Sequence, residues 1–144
     1  MTKESESIGK YISILYRQAQ SYITHHLKSY NIGSGQYIFL LALYRHDGIN
    51  QEELSQELLI DKATTARALS KLEKAGYVTR SRDPEDKRAY RIFLTDRAWE
   101  VKPVICRTVQ AWSSLLGADL SEEEKIRIGV ILKKMVNNTR LYLG

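Results

Sequence analysis

Apolar residues recur along the first part of the chain in steps of three and four. After Ser7 they fall at Ile8, Tyr11, Ile12, Leu15, Ala19, Tyr22, Ile23 and Leu27, which places one apolar stripe on an amphipathic helix. The spacing predicts that this helix ends near Asn31. The turn Asn31-Ile32-Gly33-Ser34-Gly35 comes next, with Ser34 as a helix-starting residue. Tyr37 to Arg45 then reads as a second helix stopped by Asp47-Gly48.

Asn50-Gln51-Glu52-Glu53 has the form of a capping box, a polar cap followed three positions later by a Glu that reaches back to free amides. It predicts a short helix to about Leu59. Asp61 caps the next helix, whose buried stripe is Ala68, Leu69 and Leu72, and Gly76 suits the left-handed turn that ends it. From Tyr77 the period changes to two: Tyr77-Val78-Thr79 and Tyr90, Ile92, Leu94 alternate as strands around the polar segment Arg82 to Arg88. Asp83-Pro84-Glu85-Asp86 supplies the turn residues of an exposed, charged hairpin tip.

Thr95 or Asp96 caps a long helix carrying Val101, Ile105, Val109, Trp112 and Leu116, expected to kink at Pro103 and to end at Gly117. Ser121-Glu122-Glu123-Glu124 forms a second capping box and opens a last helix through Ile126, Ile131, Met135 and Leu141. The fold class is mainly α with a small β part (α+β). Helix, short turn, helix and two-stranded hairpin in that order make a winged helix-turn-helix with a two-stranded wing. The boundaries read as one domain over 1–144, a winged helix-turn-helix region over 36–95 (helix pair 51–75, wing 77–95), and flanking helices at 7–30 and 96–142.

The composition, 43% hydrophobic and 27% charged, is that of an ordinary globular chain. No apolar run reaches the length of a membrane-spanning helix, and MTKESESIGK lacks the apolar segment of a signal peptide. A soluble cytoplasmic protein with no membrane contact is the expectation. The single cysteine, Cys106, excludes an internal disulfide and a cysteine-based zinc cage. Neither a phosphate loop, a dinucleotide fingerprint, an HExxH pair nor a nucleophile elbow is present, so the reading is a non-enzyme without metal or cofactor.

Net charge is +5, and the stretch Asp61 to Arg97 carries ten basic against six acidic residues. Basicity is therefore concentrated in the predicted helix pair and wing, the pattern expected for contact with duplex DNA. With Ala68, Leu69 and Leu72 inward, Lys62, Thr64, Thr65, Arg67 and Lys71 are expected on or beside the outer face. Arg67 has the fork for guanine O6 and N7, and the Thr side chains suit bases, phosphates or thymine methyls. In the wing, Arg80, Arg82, Lys87, Arg88 and Arg91 crowd a tip holding Asp83, Glu85 and Asp86. A narrow minor groove attracts inserted Arg, with Arg88 the first candidate. Asp86 either pairs with a neighbouring Arg as a plain surface turn or braces the wing by the same pairing.

The stretch DKATTARALSKLEKAGYVTRSRDPEDKRAYRIFLT resembles the recognition helix and wing of the multiple-antibiotic-resistance regulator (MarR) family, specifically over Gln51 to Thr95. The resemblance implies that Lys62, Thr64, Thr65, Arg67, Ala68 and Lys71 lie on a recognition helix. It likewise puts Arg88 at the basic wing position that enters the minor groove and Asp86 at the acidic supporting one. Leu94-Thr95-Asp96-Arg97-Ala98 departs from the family, which often has Gly soon after Leu-Thr.

The resemblance also implies that the first helix and the last two build a homodimer interface, which would place two recognition helices on one side of the molecule over a roughly palindromic operator. Release by a small aromatic or phenolic effector is implied by the same likeness. Tyr11, Tyr16, Tyr22, Tyr30, Tyr37 and Tyr44, with Arg17, His25 and His26, are its candidate lining, although tyrosines at helical spacing serve a core or interface equally well. Cys106 is expected to be a buried, inert thiol. The competing reading is a winged helix that has become a protein-interaction module without specific DNA binding.

Overall fold

A computed structural model describes residues 3–143, with side chains for 7–140 and for Tyr142. Leu141, expected on the apolar face of the last helix, lies outside the described side chains. The order is α1 (Lys3–Leu27), a 3-10 turn (Lys28–Tyr30), α2 (Tyr37–Arg45), α3 (Gln51–Leu58), α4 (Lys62–Lys74), β1 (Val78–Arg82), β2 (Tyr90–Leu94), α5 (Asp96–Leu116) and α6 (Glu122–Leu143). Two compact units are present, one up to Val109 and one from Gln110, their boundary falling inside α5.

The first unit is organised around α2. Phe39, Leu40, Ala42 and Leu43 are buried there with Ile23 and Leu27 of α1, Leu54 of α3, Leu69 and Leu72 of α4, Ile92 of β2, and Ala98, Val101 and Ile105 of α5. α1, α2, α4 and α5 each contribute residues three or four apart, as an apolar stripe requires. β1 and β2 pair antiparallel, with Val78 opposite Leu94 and Arg82 opposite Tyr90. The far edge of β2 is also occupied. Ile92 donates its N–H to the Ile49 carbonyl at 3.0 Å and accepts from the Gly48 N–H at 2.8 Å, and Asn50 bridges to Arg91.

Hydrogen bonds at the end of α4 direct the chain into β1. The Tyr77 N–H donates to the Leu72 carbonyl and the Gly76 N–H to that of Glu73, with Gly76 at φ 85°, the two bonds of a Schellman turn. Tyr77 is buried, and its hydroxyl donates to the Tyr30 carbonyl at 2.5 Å. Thr95 donates its N–H to the Tyr77 carbonyl and its hydroxyl to that of Gly76, while the same hydroxyl accepts from Ala98 N–H at the start of α5. Of the two candidate caps for α5, Thr95 is therefore the one in use.

Three local expectations need correction. Ser34 does not start α2. Gln36 precedes the helix, and its side-chain carbonyl accepts from the Gly33 N–H at 2.9 Å. At α3 the box is half formed: Asn50 accepts from Glu52 and Glu53 N–H, but among the described residues the Glu53 carboxylate makes no return bond to the Asn50 N–H. Glu52 pairs with Lys62 at 3.2 Å. Cys106 is exposed rather than buried, since α5 directs Val101, Ile105 and Thr108 inward and leaves the intervening positions outside. Pro103 lies inside α5 on an exposed position, and the helix continues past it.

The second unit holds the last turns of α5 and α6. Its capping box closes in both directions: Ser121 Oγ accepts from Glu124 N–H at 3.1 Å and Glu124 Oε1 accepts from Ser121 N–H at 2.9 Å. Ile126, Ile128, Val130, Ile131, Leu132 and Val136 of α6 are all exposed.

The α3–α4 turn contains one costly conformation. Leu59 sits at φ 55° with its side chain 56% exposed, and a left-handed L-residue costs about 1–2 kcal/mol. Leu59→Gly removes that cost at little loss of packing, and after allowing for glycine's extra chain entropy should stabilise the fold by about 0.5–1 kcal/mol. Thermal unfolding should show a Tm raised by a few degrees. A lower Tm would mean that the Leu59 side chain is itself stabilising.

Candidate nucleic-acid interface

α4 begins at Asp61. Its carboxylate accepts from the Thr64 N–H at 2.7 Å and from the Thr64 hydroxyl at 2.8 Å, and Arg67 donates to that hydroxyl at 3.2 Å. The backbone bond from Thr64, then its hydroxyl, hold the Asp61 carboxyl below its ordinary range, with Arg67 adding a smaller attraction. The first turn is thus pinned by the same residues that lie on its outer face.

Thr64, Arg67, Lys71 and Lys74 are exposed and succeed one another by three, four and three positions, so they form a single row along the helix. Lys62 is exposed at the N-terminal end. Thr65 and Ala68, both expected among the DNA-facing residues, are buried, at 0% and 5% exposure. Their spacing to Leu69 and Leu72 puts them on the inner stripe. Thr65 donates to Ser55 Oγ at 3.3 Å, and Ser55 donates to the Ile60 carbonyl at 2.5 Å. These hydroxyls lock α3 against α4 and leave no outward group. The spacing of Thr65 from Leu69 and Leu72 is the signal in the sequence that assigns it to the inside.

In the wing, the acidic residues shape the backbone. Asp83 is buried and accepts from Glu85 N–H at 2.9 Å and from Arg91 Nε at 3.2 Å. The Glu85 bond first, then the Arg91 charge and hydrogen bond, lower its pKa against the opposing effect of desolvation. Asp86 accepts from the backbone N–H of Arg88 at 3.0 Å. The expected pairing of Asp86 with an arginine side chain is therefore replaced by a turn that fixes the Arg88 backbone, and the arginine pairing belongs to Asp83.

The basic side chains divide by their partners. Arg80 pairs with Glu73 at 3.3 Å and packs near the Tyr90 ring, Arg82 donates to the Lys87 carbonyl, and Arg91 holds Asp83 and the Gly48 carbonyl. These three brace the wing. Lys87 and Arg88 are exposed, and among the described residues their side chains have no acidic partner. A cleft of about 340 Å³ opens between the start of α3, the start of α4 and the wing, lined by residues that include Gln51, Lys62, Asp86 and Arg88. Gln51 Oε1 is buried there without a hydrogen-bond partner. Composition alone gives no reason to single out Gln51 or the Glu52–Lys62 pair.

The candidate effector tyrosines occupy different places. Tyr11, Tyr16 and Tyr30 are exposed, whereas Tyr22, Tyr37 and Tyr44 pack against the core. Burial raises the pKa of Tyr37 and Tyr44, and Tyr44 donates to the Ala98 carbonyl. Arg17, His25 and His26 are exposed.

Comparison with known proteins gives a consistent set of likenesses. The MarR family model matches residues 32–90. The HTH-type transcriptional regulator SarZ of Staphylococcus haemolyticus is 30% identical, with 94% of this chain and 93% of that protein aligned. A MarR transcriptional regulator from Methanosarcina mazei superposes with a TM-score of 0.88 at 45% identity, covering 95% of this chain and 99% of the other. A MarR family regulator from Listeria monocytogenes, solved in complex with a 26mer DNA, superposes at 0.87 with 27% identity, over 93% of this chain and 89% of that one.

The Asp61 cap makes the start of α4 acid-sensitive. A carboxyl with a lowered folded-state pKa contributes stability that is complete above its unfolded value of about 3.9 and is lost as pH falls through the folded value. Asp61→Asn retains an acceptor but not the charge, so its Tm should lie slightly below wild type at pH 7, and that difference should narrow and disappear in acid. Asp61→Ala should lower Tm at pH 7. Thermal melts from pH 7 to pH 3 check both, and parallel pH profiles for all three proteins would refute the assignment.

Proposed function

The chain belongs to the MarR family of transcriptional regulators, and on that premise we propose that it is a sequence-specific DNA-binding repressor acting as a homodimer. The observation that carries this reading is the outward row Thr64, Arg67 and Lys71 on α4, backed by the buried Thr65, Ala68, Leu69 and Leu72. α4 enters the major groove by this row, Arg67 meeting a guanine edge. Arg88, held by its backbone with its guanidinium free, reaches the minor groove. Lys62 and Lys87 meet phosphates. Arg80, Arg82 and Asp86 act through the shape of the wing, and Thr65 and Ala68 through the seating of α4.

Dimerisation is supported by apolar surface that a monomer has no use for. Ile8, Tyr11, Ile12, Leu15 and Tyr16 are exposed on α1, and α6 exposes its own apolar set. Patches of this kind mark interfaces. A twofold dimer reads a pseudo-palindromic operator with half-sites about 10 base pairs apart. Release by an aromatic effector has a matching surface in Tyr44 and the 42% exposed Trp99, whose ring centres lie 5.3 Å apart with the Lys102 ammonium 5.3 and 5.4 Å from them. No helix among the described residues is long and apolar enough to cross a membrane, and a cytoplasmic location goes with action on DNA.

Selection of duplexes from a random pool with purified protein should enrich one twofold-symmetric site. On that site Arg67→Ala should cost about 1–3 kcal/mol and relax base preference at one position in each half, whereas Arg88→Ala should weaken binding with Tm unchanged. Failure of the folded protein to enrich any site would favour the protein-interaction module, and equal affinity of wild type and both variants would remove the residue assignment.

A further inference from the structure

The outward row of α4 does not stop at the residues that read bases. Lys74 continues it at the C-terminal end of the helix. There Lys71 and Lys74 line a cleft of about 460 Å³ together with Lys28, at the exit of α1, and with Asn31 and Gln36 of the connection to α2. No Asp or Glu lines this cleft. Among the described residues the three lysines have no acidic partner, while Glu73, the nearest acid in sequence to Lys71 and Lys74, is taken by Arg80.

Length decides what this cleft faces. α4 has 13 residues, so at 1.5 Å per residue Lys74 lies about 18 Å along the helix from Lys62. A major groove is about 12 Å wide. With the first turns of α4 among the bases, its last turn stands over a phosphate strand. The wing cleft lies at the opposite end of the helix, where Lys62 is found.

Resting on the DNA-binding reading above, we propose that Lys28 and Lys74, with Lys71 between them and the base-reading turns, form a second backbone clamp. It grips phosphates beyond the bases read by Arg67 and on the side away from the wing. The clamp is blind to sequence and adds affinity by neutralising phosphates, which displaces condensed cations.

The test uses the full-length dimer and the selected operator, with affinity measured against salt by fluorescence anisotropy. Lys28→Gln/Lys74→Gln should make the slope of log affinity against log salt shallower by about 3.6, two phosphates per protomer and so four per dimer at about 0.9 each. Its preference for operator over scrambled duplex should be that of wild type. Lys28→Arg/Lys74→Arg, which keeps both charges, should restore the wild-type slope. Ethylation of single phosphates should reveal wild-type contacts beyond the read bases that the Gln variant lacks. A steep wild-type slope that the Gln variant shares would overturn the clamp and leave DNA reading intact, whereas no salt-dependent binding by wild type would overturn both. Inorganic tripolyphosphate distinguishes a free-anion site: binding lost in the Gln variant while the DNA slope stays unchanged would assign the cleft to small phosphates and also overturn the clamp.

Discussion

Tyr77 joins the separate parts of the first unit through one buried ring. Its hydroxyl reaches the end of the first helical segment at Tyr30, its N–H closes the turn after α4, and its carbonyl receives Thr95 at the start of α5. Arg97 donates to the Ala75 carbonyl while its guanidinium lies 4.6 Å from the Tyr77 ring centre. A cation at a helix C-terminus is also favoured by the helix dipole. The exit of α4, the base of the wing and the root of α5 are thus held by one residue and its immediate partners. The proposed reading of DNA needs α4 and the wing at a set distance, and this junction fixes one end of both.

Features written in short range are legible in the sequence. Asp61, Gly76, Ser121 and Glu124 act locally as the chain pattern requires, and the period change at Tyr77 marks the wing. Expectation and structure part where side chains choose between local partners. Ser34 has the chemistry of a cap, yet Gln36 can bend back to Gly33 and does so. Asp86 and Asp83 look equivalent in the tip, but only Asp83 is placed to meet Arg91 across the hairpin. Hydroxyl chemistry points Thr65 outward although its spacing belongs to the core. Periodicity outranks side-chain type when one helix face is buried, because exposing Leu69 and Leu72 costs more than burying one paired hydroxyl.

The basic character of the region is likewise divided by geometry. Arg80, Arg91 and Arg97 direct their charge to Glu73, Asp83 and main-chain carbonyls. Charge count alone gives every cation an equal role. The structure separates braces from free cations, and the free ones lie on α4 and at the wing tip. A braced wing also presents Arg88 at lower entropic cost, since Asp86 has already ordered its backbone.

The occupied far edge of β2 bears on how copies of this protein meet. A two-stranded ribbon ordinarily offers two open rows of backbone groups to strand addition, the usual route to unwanted aggregation. Here residues 48–50 cover one of those rows. The open row on β1 is five residues long and includes Arg80 and Arg82, whose charges oppose the approach of an identical strand. Growth of β-structure from wing to wing is therefore disfavoured, and association of copies is left to helical surfaces, where it can close with twofold symmetry instead of propagating.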